Sequence, residues 1–120
     1  MSEILNSNIP KDLVERICEA VEAFKYALDA HAFERLQQRK IRPNEIRHIV
    51  LFGTAIEYDH AGTRDRPFPG ILFSGMTTDG RPLHVKVDER IEARTKFKHF
   101  VVTAYQPDPE LWDDNFRLRR

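Results

Sequence analysis

Two periodicities divide the chain. From Lys11 to Gly53 apolar residues recur every three to four positions, and from Thr54 onward they alternate with polar ones. These are the marks of amphipathic helices and then of half-buried strands. Leu13, Ile17, Val21 and Phe24 predict a first helix, entered after Pro10. The stretch FKYAL at 24–28 either continues that helix or forms a short strand, and a break is expected there. Asp29 is a residue type that caps helix starts and predicts a second helix to about Lys40. Pro43 and Asn44 open a third, which Gly53 ends.

Beyond Gly53 the alternation predicts a strand over TAIEYDH, a polar loop over AGTRDRPFPG, and strands over ILFSGMTT and LHVKV. The last two meet at Asp79-Gly80, a strong hairpin signal. The charged connection DERIEARTK leads to KHFVVTAY, the most strand-like run, which Pro107 and Pro109 end. PELWDDNF then predicts a terminal turn or helix, and RLRR a solvated tail. The expectation is an α+β domain of two to three N-terminal helices packed on one face of a roughly four-stranded antiparallel sheet. Its length suits a single domain, 1–120, with 1–23 as an additional N-terminal helix and 24–120 as the main body.

Composition narrows the function classes. No apolar run approaches the roughly 20 residues of a membrane span, and MSEILNSNIP is too acidic and polar for a signal peptide. A single cysteine, Cys18, excludes an internal disulfide and reads as a small core residue. The expected compartment is the cytoplasm. The net charge of zero does not by itself point to nucleic acid, but the charges are unevenly placed. Residues 1–30 carry three basic and six acidic groups, residues 31–48 five and two, and the remainder eleven of each.

The basic block contains HAFERLQQRK. On a helix His31, Arg35 and Arg39 fall within an arc of about 80°, beside an apolar arc of Ala32, Phe33 and Leu36. His31 lies in the first turn, where free backbone N–H groups attract anions. An imidazole beside two permanent guanidiniums suits general acid–base work on a clamped phosphate. The same residues also read as a solvated flank, with His31 bonded to backbone and the arginines paired with Glu34 or Glu57.

A second polar group lies on the late strands. Alternation sets His84 and Lys86 against Leu83, Val85 and Val87, and sets His99, Val101, Thr103 and Tyr105 against Phe100, Val102 and Ala104. Antiparallel pairing would gather His84, Lys86, Thr103 and Tyr105 on one surface. Imidazole, amine, hydroxyl and phenol suit metal-independent phosphodiester chemistry; a half-exposed sheet of mixed polar residues reads the same way. The five histidines have no close ligand spacing, so neither a metal nor a cofactor is expected.

HAFERLQQRKI, LHVKV and VVTAYQPDPELWDDNFRLR together resemble a bacterial family classed as a domain of unknown function. The shared pattern is a His-Ala…Arg…Arg-x-Ile helix, a Leu-His-Val strand and a Thr-x-Tyr-x-Pro-Asp-Pro…Trp ending, over roughly residues 24–120. Such proteins are similar to RelE-type toxins. The resemblance implies a RelE/barnase-like fold, an endoribonuclease acting on RNA, ribosome-bound in the RelE type, and an antitoxin protein as partner. It implies His31, Arg35, Arg39, His84 and Tyr105 as catalytic and Thr103 as substrate-binding, and Lys86, from the strand alternation above, is expected to bind substrate beside Thr103. The alternative is a non-catalytic module that binds a protein or an anion, favoured by the charge balance and by a Trp112 region read as exposed.

Overall fold

The computed structural model describes residues 2–61, 67–91 and 94–120. The chain begins with a two-residue strand, β1 (Glu3–Ile4), followed by helix α1 (Lys11–Glu22). Leu13, Val14, Ile17, Cys18 and Val21 form the buried face of α1. Phe24 does not extend that row. The backbone turns there with φ of 57°, and the ring stands 67% exposed under the Arg47 guanidinium. The break expected at FKYAL then yields a second two-residue strand, β2 (Ala27–Leu28).

Asp29 caps α2 (Ala30–Gln38), its carboxylate accepting from the His31 backbone N–H at 3.0 Å. Helix α3 (Pro43–Phe52) starts with proline at its first position, where a missing N–H costs nothing. Gly53 ends it, for a reason of space. A Cβ there would lie 2.4 Å from the Ser74 carbonyl oxygen and 2.5 Å from that of Ile49.

Strands β3 (Thr54–Asp59), β4 (Gly70–Met76), β5 (Pro82–Glu89) and β6 (His99–Tyr105) follow. They form a consecutive antiparallel ribbon, with Gly80 at φ of 86° in the β4–β5 turn. The sheet is nevertheless mixed and six-stranded, in the order β1-β3-β4-β5-β6-β2. The expected four strands are its antiparallel centre. The two short edge strands join in parallel, β1 on β3 and β2 on β6, and two residues are too few to show any period. The loop expected over AGTRDRPFPG and the connection DERIEARTK each fall partly outside the described residues.

Helices α1 and α3 pack on one face of the sheet. There Val14, Ile17, Ile46, Ile49, Phe73, Val85 and Val87 build the main core. The C-terminal segment covers part of the opposite face, where Trp112 packs with Ile56 and Leu72. Trp112 is therefore buried, not exposed as its sequence context suggested. The segment forms turns and a bridge between Trp112 and Arg119 rather than a helix. RLRR is exposed to solvent as expected, but it is tied to the body: Arg119 lies over the Trp112 ring and pairs with Glu57, and Arg120 pairs with Asp114.

Candidate functional site

Helix α2 packs against β6 through its buried Ala32 and Leu36. That contact leaves His31 and Arg35 at the rim of a cleft of about 460 Å³, which Lys86, Thr103, Asp59 and Asp88 also line. The β5–β6 register explains the meeting: Lys86 stands opposite Thr103, and His84 opposite Tyr105. A bulge then passes over Val102, so that Val87 pairs with Val101 and Asp88 with Phe100. One extra residue inverts the side on which the side chains before Val102 lie relative to those after it. Val101 and His99 therefore join the helix-covered face, whereas strict alternation placed them with Thr103 and Tyr105.

The charges in the cleft are unequally engaged. Lys86 pairs with Asp59. Arg90 lies between Asp29 and Asp88, 3.3 and 3.6 Å away, with the rings of Phe68 and Phe100 at 4.8 and 4.7 Å from its guanidinium carbon. Burial pushes the Asp88 carboxyl above its ordinary 3.8, an effect that Lys86 and Arg90 partly oppose. Arg35 is exposed and has no carboxylate partner among the described residues. Neither Glu34 nor Glu57 neutralises it; Glu57 holds Arg119 at 2.8 Å.

The other three candidates lie apart from this cleft. Arg39 donates from Nη1 to the Ala104 carbonyl at 2.7 Å, tying the end of α2 to β6. His84 is wholly buried. Its Nε2 lies 2.7 Å from the Phe116 carbonyl, which can only accept, so Nε2 carries the hydrogen. Nδ1 then accepts from the Tyr105 hydroxyl at 3.3 Å, and Trp112 stands edge-on at 4.5 Å. Burial lowers the His84 imidazole below its ordinary 6.5 and raises the Tyr105 phenol above 10.0. With both ring nitrogens engaged, His84 is a satisfied core group.

Sequence reasoning passed over Asp88 and Arg90, although a signal for them was present. His84, Lys86 and Asp88 follow one another at period two on the same side of β5, and Arg90, just past its end, continues the spacing. Phe68 and Asp59 come from outside that strand, and only the fold brings them in. Among the described residues no cluster of His, Cys, Asp and Glu has the arrangement of a metal site. No helix among them is long and apolar enough to cross a membrane.

A family model described as a domain of unknown function, DUF4258, matches residues 28–106. The chain belongs to the DUF4258 family. No curated protein and no solved structure matches it. The DUF4258 match includes α2, β5, β6 and every residue named above as lining the cleft, and leaves α1 and the C-terminal segment outside.

Proposed function

We propose that this DUF4258 protein is a metal-independent RNA endonuclease acting in the cytoplasm, with the cleft beside α2 as its phosphate site. The observation that carries this reading is Arg35: a guanidinium without a carboxylate partner among the described residues, beside an exposed imidazole and facing an amine and a hydroxyl across one cleft. Guanidinium matches two phosphate oxygens in a planar fork. Thr103 adds a hydroxyl donor and Lys86 a second cation. His31 takes the proton of the ribose 2′-hydroxyl, whose oxygen attacks phosphorus. Arg35 and Lys86 stabilise the charge that builds on the non-bridging oxygens. The 5′-oxygen leaves and takes a proton from water, so the products are a 2′,3′-cyclic phosphate and a 5′-hydroxyl. Three helices preceding an antiparallel ribbon are compatible with a RelE-like or barnase-like classification and with a toxin role, an antitoxin covering the cleft.

A non-catalytic anion- or protein-binding module is the second reading. It is favoured by Lys86 and Arg90 being already paired, which among the described residues leaves Arg35 as the free cation lining the cleft. Incubation of the purified protein with RNA, free and on ribosomes, in the presence of a chelator separates the two. Cleavage that leaves cyclic phosphate ends and disappears in His31→Ala supports the nuclease. RNA that stays intact in every condition refutes it.

A further inference from the structure

A second group of basic side chains lies elsewhere. A groove of about 410 Å³ runs between the C-terminal half of α1 and the start of β6, with Arg16, Lys25, Lys96, Lys98 and His99 along it. Glu19 is the one acid in its described lining, and Ala20 and Ala23 are small enough to leave it open. Neither Lys25 nor Lys96 has a carboxylate partner among the described residues. Below them Glu89 is buried and held by Arg16 at 2.8 and 3.0 Å. The same carboxylate receives His99 Nε2 at 3.0 Å. This fixes the imidazole and leaves Nδ1 without a hydrogen-bond partner among the described residues. Block-wise charge along the sequence hid this surface, because Lys25 comes from the acidic opening segment and Lys96 and Lys98 from the balanced remainder.

We propose that this groove is a second phosphate-binding site, holding a further backbone phosphate of the single-stranded RNA that enters the cleft. The proposal rests on the RNA reading for its ligand. Continuity supports it: the β5–β6 connection carries Arg90 of the cleft at one end and Lys96 and Lys98 of the groove at the other. The Arg90 backbone N–H donates to the Lys98 carbonyl at 2.7 Å. The bulge at Val102 sets His99 on the opposite side of the sheet from Thr103, so the bound strand passes round the end of the sheet. An acidic peptide fits less well. The apolar groups in the described lining are two alanines, which give a peptide no pocket for an anchoring side chain, whereas a phosphate backbone needs only cations.

The test follows backbone amide shifts by NMR in the full chain during titration with three probes: inorganic phosphate, a 12-nucleotide 2′-O-methyl RNA, and a glutamate peptide. RNA is expected to shift the amides of residues 20–25 and 96–99 as well as those of the cleft. The double variant Lys25→Gln/Lys96→Gln, altered only at exposed positions, should then bind RNA several-fold more weakly. It should also lower the slope of log affinity against log salt by about 1.4, two single-strand phosphate contacts. Shifts from inorganic phosphate at the same amides also support the site. Groove shifts in a protein that cleaves no RNA leave this proposal standing and remove the nuclease. RNA that binds without moving residues 20–25 and 96–99, or a response to the peptide alone, overturns the groove.

Discussion

Two arginines one helical turn apart, Arg35 in the last turn of α2 and Arg39 just past its end, have different surroundings and should respond differently to truncation. Arg35 is exposed and has no carboxylate partner to lose among the described residues, so Arg35→Ala is expected to change stability by no more than about 0.5 kcal/mol while removing RNA cleavage. Arg39 carries the hydrogen bond to Ala104, so Arg39→Ala should cost about 1 kcal/mol, a fall in Tm of roughly 4 °C. Thermal melts of the two variants check this. His84 supplies a pH signature. Its folded-state imidazole titrates below the unfolded value of 6.5 because burial disfavours the charged ring, with Glu57 pulling up and Arg119 pushing down. Below pH 6.5 the unfolded chain therefore binds the proton more readily than the native one, and stability falls with falling pH. Above 6.5 this penalty is absent. Denaturant titrations between pH 7.5 and 5.5 should show the decline, with a smaller slope in His84→Gln.

Elements are held at their ends by a few charged contacts that join segments far apart in sequence. The clearest is Arg16–Glu89–His99, linking α1 to β5 and β6. Arg16, then burial in opposition, then His99 set the Glu89 carboxyl, which ends below its ordinary 4.5. Its contribution is present above that pH and lost as pH drops through the lower folded value. Removing the carboxylate in Glu89→Ala leaves Arg16 and His99 without their partner. Because Arg16 is about half exposed and rehydrates once freed, the expected cost is about 1–2 kcal/mol, measurable by urea unfolding. Such contacts mark the limit of what periodicity reveals. The helices, the four long strands and the Asp79-Gly80 turn were legible because each repeats a pattern over several residues. Of the edge strands β1 was not, and β2 was legible only as one of two readings of FKYAL, since Ala27 and Leu28 take their partners from β6. The bulge at Val102 was also illegible: nothing in FVVTAY shows which valine the ladder skips, yet that choice puts Phe100 beside the cleft and His99 behind it.

For the molecule as a whole, one sheet has helices α1 and α3 on one face and a cleft and a C-terminal cover on the other. The row His31, Arg35, Arg39 was visible in the sequence as a charged arc, but its division was not, because the Ala104 carbonyl lies 65 positions from Arg39. His84 and Tyr105 meet as strand pairing suggests, under a tail whose Trp112 closes them from water. Removing that side chain in Trp112→Ala should destabilise the fold by about 3–5 kcal/mol and raise His84 exposure to hydrogen exchange and chemical modification. The central claim, that an unpaired Arg35 makes the cleft a phosphate site, is tested most directly by the affinity of a non-cleavable 2′-O-methyl RNA for Arg35→Ala and Arg39→Ala at fixed salt. The account predicts at least a tenfold loss in Arg35→Ala and near wild-type binding in folded Arg39→Ala. Wild-type affinity in Arg35→Ala, or an equal loss in both variants, would contradict it.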